Sequence, residues 1–233
     1  MKNNNIKKYL IDFVVIVLGI TVSFWFNELS INKSDEKERQ KVLENIEMEI
    51  FELKKYCSER LNAWNDDVVL YSKLLENSLD IESIKKITSS KSRIEFNLIY
   101  YRDFEPPMNR YNSMINSGNI KFIKSEKIKE TLTRLHKLNY SNLKSTAEYE
   151  KSLKEDLIKI ITENHPEIIF AINNNKITIE KYAELLHQII QKDDRLRANL
   201  NIQMKYFRTR ISLLKLYSYT LEELENFVKN ELI

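Results

Sequence analysis

With 233 residues, the chain is long enough for one domain of ordinary size or two small ones. It holds 2 glycines and 3 prolines against 29 isoleucines, 27 lysines and 24 asparagines. Nucleotide-cradling α/β folds and turn-rich β folds, which need glycine for positive φ or close approach to a phosphate, are therefore nearly excluded. One cysteine, Cys57, excludes an internal disulfide framework and a Cys-rich zinc site, and 37 basic against 34 acidic residues is too balanced for a dedicated nucleic-acid binder.

Residues 13–26 carry no charge, and extending back to Tyr9 gives a run interrupted only by Asp12. At the helical rise this run spans roughly 27 Å, just enough for a bilayer core. Lys7 and Lys8 can snorkel at one face, while Tyr9 and the cluster around Trp25 supply interfacial rings. Asp12 sits one turn inside the lysine pair, shallow enough to meet headgroup water. The reading is a basic tail over 1–8, a single transmembrane anchor over 9–27 and a helical domain over 28–233. A cleaved signal peptide and a short buried core helix are the competing readings. The short lysine-rich tail favours an N-in orientation, with the helical domain outside the cytoplasm. Gly19 and Ser23 form a weak small-xxx-small pattern that offers one route to dimerisation.

Beyond the anchor, residues 35–79 lack glycine and proline, and their apolar positions recur at steps of three and four from Leu43 to Leu75. This predicts one long helix, either capped at Ser34 or continuous with the anchor. Ile81–Ile87 fits two helical turns, 88–92 reads as a loop, and 80–107 as a whole is expected to be irregular or helical. Pro106 and Pro107 stop what precedes them. A helix over 108–117 then ends at Gly118, followed by one capped by Ser125 that runs to His165 and Pro166, its stripe weakening between 139 and 150. Thr178 caps a short helix, and Asp193 or Asp194 opens the last long one, striped from Leu196 to Val228. The fold class is all-α: an anchor followed by a bundle-like domain of long helices.

Chemistry-bearing patterns are sparse. Glu184-x-x-His187 is half of the carboxylate–histidine set that ferritin-like bundles need twice. Cys57 lies on an apolar stripe, where a small buried cysteine is ordinary. No glycine-bracketed serine elbow and no His-Glu-x-x-His motif occurs. Ser117, Gly118 and Asn119 read as a structural turn, with a polar recognition knuckle as the alternative. Tyr100, Tyr101, Arg102 and Phe104 form the densest aromatic and charged loop, either a partner-binding surface or a cap on the bundle. Arg195, Arg197, Arg208 and Arg210 read as a solvated face of the last helix.

Two stretches, Asp12 leading through a Val/Ile/Leu run to Gly19-Ile20 with Asn27 at the exit, and Tyr111-x-x-Met114-x-x-Ser117-Gly118-Asn119-Ile120-x-x-Ile123, resemble an uncharacterised family of bacterial membrane proteins. The family's Trp-Asn-Glu exit is missing, and Trp25 stands where a polar residue is usual. The resemblance implies membrane anchoring, here at a bacterial inner membrane, and an all-helical body. It implies no activity. The expectation is a non-catalytic interaction, assembly or sensing module with no cofactor and no metal. Its partners are the membrane, by one span, and either another protein or further copies of itself, with no nucleic acid. The alternatives are a membrane-perturbing effector acting through an oligomerising anchor, and an enzyme with an unrecognised site.

Overall fold

The computed structural model describes the backbone of residues 2–232 and the side chains of residues 13–232. The chain is all-α, with no strand among the described residues. Its first element, α1 (Lys2–Leu75), is one unbroken helix of 74 residues, roughly 110 Å long at the standard rise. Ser34 therefore is not a cap. The turn before it is already helical and supplies the carbonyls that a cap would otherwise replace.

The second half of α1 belongs to a four-legged, up-down-up-down bundle. The second leg descends in pieces: α2 (Ile81–Ile87), α3 (Lys91–Ile99), an extended stretch over 100–108, α4 (Asn109–Asn116) and a 3₁₀ turn over Asn119–Phe122. The third leg rises as α5 (Glu126–Thr133), a π-helical segment over Arg134–Asn139, and α6 (Tyr140–Asn164). A hairpin of α7 (Glu167–Asn173) and α8 (Ile179–Lys192) caps the far end, and α9 (Asp194–Leu232) descends beside α1. Three ion pairs mark the antiparallel register of α9. Arg39 meets Glu231 at 3.2 Å, Lys54 meets Glu225 at 2.5 Å, and Arg134 meets Glu223 at 2.5 Å.

Local chemistry sets the element ends. Asp80, Ser125 and Thr178 accept hydrogen bonds from the backbone N–H three residues on, as N-caps do. Asp193 caps α9 by accepting from the N–H groups of Arg195 and Leu196. Gly118 turns the chain at φ 72, a left-handed conformation that glycine alone adopts without cost. Residues 80–107, expected to be irregular or helical, are both: α2 and α3 are joined by a short loop over 88–90.

Two apolar cores lie one above the other. The one nearer the apolar end of α1 gathers Leu43, Ile50, Trp64, Leu132 and Leu221. The distal one gathers Leu70, Leu74, Ile94, Leu186 and Leu200. The extended stretch of the second leg contributes to the nearer core through Phe104, which is fully buried between Tyr56, Trp64, Tyr140 and Tyr217. Replacing Phe104 by Ala should cost about 3–5 kcal/mol of unfolding free energy in a denaturant titration. The same change at exposed Tyr100 should stay within about 0.5 kcal/mol.

Candidate functional site

Between the two cores lies a layer of buried charge. Asp67 on α1, almost fully buried, accepts from Arg93 Nη2 and Arg102 Nε, each at 2.9 Å. Arg210 on α9 is 0% exposed. It donates to the Thr146 hydroxyl at 2.9 Å, the Thr146 carbonyl at 2.6 Å and the Glu150 carboxylate at 2.6 Å. Lys154 on α6, 2% exposed, donates to the Tyr71 hydroxyl and to the Asn97 carbonyl, with Glu150 3.9 Å away. Gln203 and Asn199 on α9 continue the network to the Leu153 carbonyl. The reading of Arg210 as part of a solvated face is thus overturned, because three acceptors on α6 meet its guanidinium inside the bundle. Arg195 and Arg208 are exposed, and Arg197 is half-buried beside Asp194.

The same layer explains the weak stripe over 139–150. The inward positions there alternate Asn139, Thr146 and Glu150 with Leu143 and Ala147, so only part of the stripe is hydrocarbon. The π segment beneath adds a residue to the turn and brings His136 and Asn139 inward together with Leu135. Asn139 donates to the Thr220 hydroxyl at 2.9 Å.

A second polar assembly lies nearer the apolar end of α1. A cleft of about 450 Å³ opens between α1 and α4. Its floor is Val42, Ile46, Met114 and Leu132, and its charged lining is Glu49, Glu52 and Arg110. Ser117 and Asn119 of the Gly118 turn stand on its rim. Glu49 is buried, and one carboxylate oxygen accepts from the Tyr111 backbone N–H at 2.6 Å. The other lies 3.0 Å from His136 Nε2, in ion-pair range though off the line of a hydrogen bond. The Tyr111 ring stacks on the His136 ring at 3.9 Å. Arg110 reaches Glu52 at 3.1 Å, while its Nε has no partner.

Ser117 donates to the Met114 carbonyl. Glu49 and His136 gave no signal in the sequence, because they occupy helix positions whose neighbours in the stripe are apolar.

The remaining predicted residues are scattered. Tyr100 and Tyr101 are exposed, Arg102 is tied to Asp67, and Phe104 is in the core, so these four do not share one surface. Gly19, Ser23 and Trp25 are exposed on the unpacked part of α1. Ser23 spends its hydroxyl on the Gly19 carbonyl at 2.8 Å. The side chains of Tyr9 and Asp12 lie outside the described residues. Cys57 is buried, and burial pushes its thiol up to about 12. His187 meets the Leu74 carbonyl and His165 meets Asp193 at 2.7 Å, and no metal-ligating cluster occurs among the described residues. Comparison with family models, with curated proteins and with solved structures finds no match to this chain.

Burial holds the Lys154 ammonium down to about 8, with Glu150 and Asp67 opposing that shift only in part. Between that value and the usual lysine range the unfolded chain binds more protons than the folded one, so stability rises with pH. Higher still, Tyr71, Tyr182 and Tyr217, all raised by burial, stay protonated in the fold and ionise when it opens, which reverses the trend. Unfolding free energy should therefore climb by about 2 kcal/mol between about pH 7.5 and 9.5. Urea titrations of the full chain in detergent should show that climb, and Lys154→Met should flatten it.

Proposed function

We propose that the chain is a single-pass membrane protein whose helical bundle is a non-catalytic interaction or sensing module held close to the bilayer. The observation that carries this reading is the first stretch of α1. It is long and apolar enough to cross a membrane, and its side chains from Phe13 to Ile31 are exposed, with no part of the bundle packed against them. A soluble protein rarely leaves so large an apolar surface bare. The residues that resemble the bacterial membrane family fall on this stretch and on the segment from α4 to α5, and membership of that family is part of the proposal. The cleft between α1 and α4, with its apolar floor and polar rim, is the site we assign to a ligand or to a side chain of a partner.

A bacterial inner membrane with the bundle outside the cytoplasm is the placement favoured by the lysine-rich N-terminal tail. Alkaline carbonate extraction should leave the full chain in the membrane pellet, and release into the supernatant would overturn the anchor. For orientation, Cys57→Ser combined with Lys215→Cys puts one thiol on the exposed face of α9. A membrane-impermeant maleimide should label it in cells with a permeabilised outer membrane. Labelling only after lysis would move the bundle into the cytoplasm.

A further inference from the structure

The bundle begins very close to where the apolar stretch of α1 ends. Trp25 and Phe26 mark that end, and Glu36, the first residue tied to the rest of the bundle, follows ten residues later, roughly 15 Å up an unbroken helix. A headgroup layer occupies about 5–8 Å of that distance. The structures that reach down to this level are the chain reversal over 119–127 and the end of α9. Lys124 donates to Glu36 at 3.1 Å, and Arg39 meets Glu231.

That reversal is basic. Lys121, Lys124 and Lys127 stand against one carboxylate, Glu126, which is itself engaged by Lys129 at 2.8 Å. Lys124 is 72% exposed. Lys121 and Lys127 are exposed and have no carboxylate partner among the described residues; each instead lies near an aromatic ring, Phe122 at 4.9 Å and Phe227 at 5.9 Å. Lys229 on α9 is exposed but paired with Glu225 at 3.1 Å, and so adds no free charge. On α1 near this level Glu28, Asp35, Glu36 and Glu38 are matched in number by Lys33, Lys37, Arg39 and Lys41, and Glu231 pairs with Arg39. Arg39 and Lys124 hold the Glu36 carboxyl well below the usual carboxylate range, so it stays ionised and keeps the reversal tied to α1.

We propose that this end of the bundle is a basic foot that rests on the membrane surface and binds anionic lipid headgroups through Lys121 and Lys127, with Lys124 holding the reversal to α1. The proposal depends on the reading of α1 as a membrane anchor. Its physical basis is distance: the lysines lie within about one Debye length, roughly 8–10 Å, of the headgroups, where an anionic surface attracts them. Contact through the foot adds a second attachment point beside α1 and so limits how the bundle tilts on its stalk.

The test uses the full chain in nanodiscs of phosphatidylcholine alone or with about 30 per cent phosphatidylglycerol, which gives the surface a negative potential. A fluorophore is placed at Asn230→Cys, exposed at the foot, or at Val15→Cys in the anchor, in the Cys57→Ser background. Headgroup spin labels should quench the Asn230 probe at least twofold more in the anionic discs. The double variant Lys121→Gln, Lys127→Gln should remove that difference without moving the thermal unfolding midpoint. Acyl-chain spin labels should quench the Val15 probe in both disc types. A quenched Val15 probe beside an Asn230 probe that ignores lipid charge would overturn the foot and leave the anchor standing. An unquenched Val15 probe would overturn both.

Discussion

The contact between Arg210 and its acceptors on α6 constrains the bundle more tightly than any apolar pair. A guanidinium with no exposure to water must find its hydrogen bonds inside the protein, and here Thr146 and Glu150 supply them from a single face of α6. Sliding α9 by one helical turn would strand a charge in the interior, whereas an apolar pair would simply find another apolar neighbour. Such a layer contributes little net stability, because desolvation offsets most of the attraction. It acts against misregistered packings. Asp67 does the same for the broken second leg, since Arg93 and Arg102 lie on either side of the point where that leg leaves its helix.

The layer also explains the division of the hydrocarbon into two cores. Trp64 belongs to the lower core and Tyr71 to the upper, and Asp67 falls between them on the same side of α1. Arg210 lies over the Trp64 ring at 5.2 Å, and Lys154 over Tyr71 at 5.1 Å. Each cation therefore has an aromatic face on one side and oxygen acceptors on another, an arrangement that lowers the cost of keeping it from water. Trp64 and Tyr71 are both fully buried, and their ring faces give the cations an apolar contact with some negative charge.

Most of the architecture was legible in the sequence because helices announce themselves through period and caps. The stripes from Leu43 and from Leu196, the caps at Ser125 and Thr178, and the turn at Gly118 all correspond to features of the fold. What remained hidden follows from one assumption, that inward positions are apolar. Glu49, Asp67, Glu150, Lys154 and Arg210 violate it, and each is satisfied by a partner many residues away. No local pattern can report such a pairing. The π segment was equally invisible, since one added residue in a turn only blurs the stripe. The cleft was half legible: the Gly118 turn was noticed, but Glu49 and Arg110 reach it from positions that carry no motif.

The unbroken course of α1 has a mechanical consequence. A protein joined to its membrane segment by a flexible linker lets the two parts rotate separately, whereas here no hinge lies between Trp25 and the core residue Val42. With α1 anchored in a bilayer as proposed, the helix from Trp25 to Leu75 is a lever about 75 Å long, so a tilt of about 10° would carry its far end roughly 13 Å sideways. Axial rotation is likewise passed on undiminished. The α7–α8 hairpin at the far end would trace those movements at their largest amplitude, while the cleft, whose α1 residues 42–52 lie about 25–40 Å along the same rod, would move roughly 4–7 Å. Position along one rod thus sets how far each part of the bundle would move, less at the cleft than at the tip.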